Sequence, residues 1–87
     1  MRDKILREIS EELDRARSKF PIPLNSNHEG YAVILEELDE LWGAIKASKG
    51  TRCTEEMRGE ATQVASMAVR FIEDLSAEMD EDPDVEE

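Results

Sequence analysis

Ser26-Asn27-His28-Glu29-Gly30-Tyr31-Ala32-Val33-Ile34-Leu35-Glu36-Glu37-Leu38-Asp39-Glu40-Leu41-Trp42-Gly43-Ala44-Ile45-Lys46 has the outline of one amphipathic helix. At about 100° per residue, Tyr31, Ile34, Leu35, Leu38, Leu41, Trp42 and Ile45 gather on a single face. That stripe reads as core, with Tyr31 and Trp42 as packing residues. Ser26 is placed to cap the helix, and Glu29 to reach back from the third helical position as the second half of a capping box. The helix should end near Ser48. Lys46 and Lys49 suit the negative end of its dipole, and Gly50 suits the left-handed position beyond it.

On the N-terminal side, Phe20-Pro21-Ile22-Pro23-Leu24-Asn25 cannot continue a helix, because each proline lacks an amide proton and disfavours helical angles in the residue before it. Before that break, Ile5, Ile9 and Leu13 recur every four residues, joined by Leu6 and Ala16, which predicts a helix from about Arg2 to Lys19. On the C-terminal side a short turn, Gly50-Thr51-Arg52-Cys53, leads to Thr54, which is placed to cap a third helix running to about Glu78. The expected class is all-α. Its three main helices include an antiparallel pair formed by the second and third, and no internal repeat is visible. Three prolines, four glycines and 38% charged residues in 87 agree with that class. A chain this short buries a small share of its surface, so an oligomeric helical bundle is expected, as a homodimer or a homotetramer.

Charge bounds the function. The formal net charge is −11, from 22 acids and 11 bases. Seven of those acids and none of the bases fall in residues 78–87, leaving 15 acids against 11 bases in the rest. The chain therefore divides into a helical domain at 1–77 and an acidic tail at 78–87 that should be disordered or frayed. An acidic body argues against nucleic acid as partner, since phosphate neutralisation needs Lys and Arg. No apolar run approaches the roughly 20 residues needed to span a bilayer. A single cysteine, Cys53, forms no internal disulfide, and Met1-Arg2-Asp3-Lys4 lacks the apolar stretch of a signal peptide, so a cytoplasmic protein is expected. If such a chain handles phosphates, a metal ion has to supply the positive charge.

Several acids fall where such an ion would need them. Glu37 and Glu40, one turn apart on the second helix, share a sector with Val33 and Ala44, whereas Asp39 and Glu36 point elsewhere. On the third helix Met57, Ala61, Val64, Met67, Ala68, Phe71 and Leu75 form the apolar face, and Glu60 sits among them. A carboxylate in an apolar stripe is costly unless a cation, a hydrogen-bond network or a raised pKa compensates. Two readings follow. Glu37, Glu40 and Glu60 converge on a hard divalent cation such as Mg²⁺, or the acids of α2 form a solvated helix face and Glu60 is paired with a base or lies at a helix edge.

Glu36-Glu37-Leu38-Asp39-Glu40, followed on the next helix by Arg58-Gly59-Glu60, resembles the paired motif of the MazG-like all-α nucleoside triphosphate pyrophosphohydrolases over residues 28–75. In that family a Glu-x-x-Glu on one helix faces a Glu-x-x-Asp on the next, and the four carboxylates bind Mg²⁺. The resemblance implies metal ligation by Glu37, Glu40 and Glu60, with Mn²⁺ as a substitute ion. The family's aspartate falls at Gln63, which offers a carbonyl oxygen but no charge; Glu56 and Glu36 are candidate helpers or plain surface acids. The implied reaction is attack of water on a nucleoside triphosphate, releasing the monophosphate and pyrophosphate. Glu36 and Glu37 are the candidates to orient or deprotonate that water. Arg70, then Lys49, Arg52 and Arg58, are candidates for the phosphates, Arg70 having as its other reading an ion pair with Asp74 one turn on. His28 is read as a capping or exposed residue. The competing class is a non-catalytic helical oligomer, an adaptor or nucleotide-sensing remnant, to which Gln63 and the high acidity point.

Overall fold

The computed structural model describes residues 1–47 and 54–78, and these form three α-helices with no strand among the described residues. α1 spans Arg2–Lys19, α2 Asn27–Ala47 and α3 Thr54–Glu78. The expected ends of α2 at Ser48 to Gly50, the Arg52-Cys53 turn and the acidic tail after Glu78 lie outside the described residues. Thr54 is the first helical residue of α3, so the capping position before it lies outside them too.

α3 is the central element: α1 and α2 each pack on it and not on one another. Small residues make this close approach possible. Gly30 of α2 is buried with the ring of Phe71 where a side chain would otherwise stand; a Cβ there would come within 2.4 Å of it. On the other side of α3, fully buried Ser66 lies against α1, its Oγ 2.8 Å from the Thr62 carbonyl oxygen and 3.2 Å from that of Ile9. Leu13, Ala44 and Met67 complete a small core.

The proline-containing segment, residues 20–26, crosses from α1 to α2 and is tied down by two charged residues of α3. Arg70 Nη2 donates to the carbonyl oxygens of Ile22, at 3.1 Å, and Phe20, at 3.5 Å. Asp74 accepts from the Leu24 amide at 3.1 Å and from Arg17 of α1 at 3.0 Å. The start of α2 is capped almost as its sequence predicts. Ser26 Oγ accepts from the Glu29 amide at 3.1 Å, but the Glu29 carboxylate reaches the Asn25 amide, one residue earlier than a capping box requires.

The stripe of α2 read as core is not the face that α2 lays on α3. Tyr31, Leu35, Leu38, Trp42 and Ile45 are exposed, Tyr31 at 65% and Trp42 at 54%. The face turned to α3 carries Gly30, Val33, Glu37 and Ala44, about one residue's rotation away, with Ile34 and Leu41 half-buried between the two. The reason is steric: Gly30 and Ala44 let the α2 backbone approach α3, and a row of large side chains would hold it off.

Candidate metal centre and groove

Glu37 and Glu40 stand on consecutive turns of α2, and Glu60 projects from the facing turn of α3. One carboxylate oxygen from each lies within 4.8 Å of one from each of the others. Glu37 and Glu60 are half-buried and Glu40 is exposed. Among the described residues no Lys or Arg pairs with any of the three. The electrostatic consequence is mutual repulsion. Burial, then the charges of Glu40, Glu60 and Glu36, hold the Glu37 carboxyl above the usual range. Burial, then the charges of Glu40 and Glu56, do the same for Glu60. Three convergent carboxylates with no basic partner match the donor set of a hard divalent cation, which takes oxygen ligands and completes its shell with water and phosphate. The residues present therefore fit a Mg²⁺ ion.

Glu37 also belongs to a groove of about 1200 Å³ that runs from this cluster to the proline-containing segment. Its floor is α3, with Gln63, Met67 and Arg70 on one helical face. Its walls are Glu12, Arg15, Ala16 and Lys19 of α1, and Glu29, Val33, Glu36 and Glu37 of α2. Residues 20–25 close one end. The bases Lys19 and Arg70 lie toward the segment, Lys19 over the Phe20 ring and Arg70 on the Phe20 and Ile22 carbonyls, so an anionic group could sit at the carboxylate end only with a cation between them.

The remaining sequence candidates separate clearly. Glu36 lines the groove beside Glu37 and is exposed. Gln63 lies on the groove floor, its Nε2 donating to Glu12 Oε2. Arg70 lies on the same floor, 7% exposed, its Nε without a partner; it makes no ion pair with Asp74 and holds the segment carbonyls instead. Arg58 is away from the groove, paired with Glu8 of α1 at 2.8 Å. Lys49 and Arg52 lie outside the described residues. His28 is exposed in the first turn of α2.

The α1 wall escaped the sequence reading. Glu12, Arg15 and Lys19 follow one another at intervals of three and four, a second helical face beside the apolar one, and that periodicity was the available signal. Comparison with protein-family models, with curated proteins and with solved structures gives no match to this chain.

Proposed function

We propose that this protein is a Mg²⁺-dependent nucleoside triphosphate pyrophosphohydrolase, cytoplasmic, releasing a nucleoside monophosphate and pyrophosphate. The observation that carries the reading is the convergence of Glu37, Glu40 and Glu60, without a basic partner among the described residues, beside a groove that Glu37, Arg15, Lys19 and Arg70 line. The MazG-like motif on α2 and α3 supplies the reaction class. Glu37, Glu40 and Glu60 would hold a divalent ion, which would supply charge neutralisation at phosphate oxygens and a lowered pKa for water. Glu36, exposed on the groove wall, would accept a proton from the attacking water, and Glu37 would orient that water while serving as a ligand. Arg70, with Arg15 and Lys19, faces the remaining phosphate charge, so that catalysis rests mainly on positioning and electrostatics.

The assembly belongs to the same reading. Gly30 meets Phe71 near the end of α3, and Glu40 meets Glu60 nearer its start, an order that supports an antiparallel α2/α3 pair. Tyr31, Leu35, Leu38, Trp42 and Ile45 recur at alternating intervals of four and three, the spacing of a helix-helix seam, and a second copy in a homodimer or homotetramer covers it.

A screen of NTPs and dNTPs for pyrophosphate release, with Mg²⁺ and with chelator, tests the activity. Metal-dependent release from at least one nucleotide is expected, and none from any would sink it. One observation favours a non-catalytic helical oligomer instead: Gln63, at the family's fourth carboxylate position, is engaged by α1. Thermal melting with and without Mg²⁺ separates the two, since an ion that binds only the folded state raises the melting temperature.

A further inference from the structure

We propose that Arg70 couples the groove to the segment between α1 and α2: a phosphate or pyrophosphate group entering the groove takes the guanidinium from the Phe20 and Ile22 carbonyls, and residues 20–25 come loose. No metal ion is needed for this. Arg70 is 7% exposed and lines the groove, yet among the described residues it has no ion pair. Taking a charge out of water is costly unless an opposite charge and hydrogen bonds compensate. Here the hydrogen bonds go to neutral acceptors. Nη2 donates to the Ile22 carbonyl at 3.1 Å and to that of Phe20 at 3.5 Å, the second beyond the usual range, and Nε is buried with no partner.

The kind of ligand follows from what the guanidinium lacks. Its N–H groups form a planar fork that matches two oxygens of a phosphate, and such charge-assisted bonds are roughly twice as strong as those to a carbonyl. Lys19 lines the same end of the groove, its Nζ 5.9 Å from the centre of the Phe20 ring, and adds a second positive charge. The acids of that region are already engaged, Glu29 by the Asn25 amide and Glu12 by Arg15. Because the segment lies on the guanidinium, an anion gains Nη2 and Nε only as the segment gives them up. The segment is suited to yield. Phe20 and Ile22 are 59% and 75% exposed, so their release forfeits little buried apolar surface, and Pro21 and Pro23 have no amide to hold. A ligand that binds one of two states better shifts the population toward it, here toward the open one.

Hydrogen exchange at the Leu24 amide, which donates to Asp74 in the closed state, reads the coupling. The full chain is followed by NMR in chelator, with sodium pyrophosphate or with sodium chloride at equal ionic strength. Pyrophosphate should speed Leu24 exchange about fivefold or more, the lower end of an ordinary coupling between two sites, and leave the Met67 amide in the middle of α3 unchanged. Arg70→Met should exchange fast at Leu24 without ligand and gain nothing from pyrophosphate. Lys19→Gln, at an exposed side chain, should keep the slow exchange without ligand and need more pyrophosphate for the same effect. No acceleration in the wild type overturns the proposal, as does an equal effect of chloride or an equal rise at Met67. So does an Arg70→Met chain that still responds, or a Lys19→Gln chain that responds at the wild-type concentration. Should Arg70→Met fail to fold, the wild type and Lys19→Gln decide. With chelator present throughout, none of these outcomes bears on the Mg²⁺ reading.

Discussion

Arg70 and Asp74, opposite charges one turn apart on α3, do not pair with each other; both grip the segment between α1 and α2, Arg70 by its carbonyl oxygens and Asp74 by the Leu24 amide. Burial pushes the Asp74 carboxyl up, but the Leu24 amide, Arg17 and Arg70 outweigh it, leaving the group below its usual value. A depressed carboxylate stabilises the fold above its unfolded-state pKa, and that stability is lost as pH falls through the folded-state value. Asp74→Asn should cost roughly 1.5–3 kcal/mol at neutral pH, the range for hydrogen bonds to charged groups. Urea melts at pH 7 and near pH 3 check this: the gap between wild type and variant should shrink in acid, and a constant gap would rule the mechanism out.

The carboxylate cluster has the opposite sign. Because Glu37 and Glu60 are raised, their charged forms destabilise the metal-free fold, and stability should rise as pH falls from neutrality toward their unfolded-state range. Glu60→Gln and Glu37→Gln should therefore melt higher than wild type without metal, yet lose the rise that Mg²⁺ produces. Asp39→Asn, on an exposed part of α2, should change neither quantity. Calorimetric melts with chelator and with Mg²⁺ check all three, and a Glu60→Gln variant that keeps its full Mg²⁺ response would remove Glu60 from the site.

Glycine substitutions should separate packing from propensity. Gly30→Ala places a methyl against the Phe71 ring and should destabilise by about 1–2 kcal/mol, overpacking exceeding the gain in helix propensity. Gly59→Ala meets nothing within 4 Å and should stabilise by roughly 0.5–1 kcal/mol. Equal effects of the two in denaturant melts would mean that α2 does not close on α3 at Gly30.

The exposed row on α2 makes a prediction about mass. Leu38→Lys should leave each chain folded, because Leu38 is 47% exposed within one chain, while lowering the assembly to monomer. An interface of at least about 1,000 Å² is expected in the wild type. Sedimentation velocity at micromolar concentration settles it: a wild-type monomer, or a Leu38→Lys oligomer, would be incompatible with a seam at this face.

The helices were legible because their signals are local. Two prolines break the chain after Phe20, Ser26 caps α2, and the four-residue recurrence of Ile5, Ile9 and Leu13 marks α1. That Glu37 and Glu40 share a sector one turn apart, and that Glu60 lies in an apolar stripe, was legible from wheel position alone; that the three meet depends on the rotation of α2. Which face of α2 turns inward was not. A wheel ranks faces by hydrophobicity, whereas the approach of two helices is governed by the smallest side chains, here Gly30 and Ala44. The hydrogen bond from Gln63 to Glu12 was hidden for a third reason: it joins residues 51 positions apart, and no pattern along the sequence reports such a pair.

Because α3 lies between the two helices that precede it, the order of synthesis and the order of assembly are opposed. α1 and α2 leave the ribosome with no neighbour to pack on, and Gly30, Val33 and Ala44 stay in water until α3 has been made. Bonds such as Arg17 to Asp74 then join residues 57 positions apart, so most tertiary structure waits on closure of long loops. Folding is thus a single late event governed by the last helix described, and an unfinished chain exposes the same apolar row through which finished copies would associate.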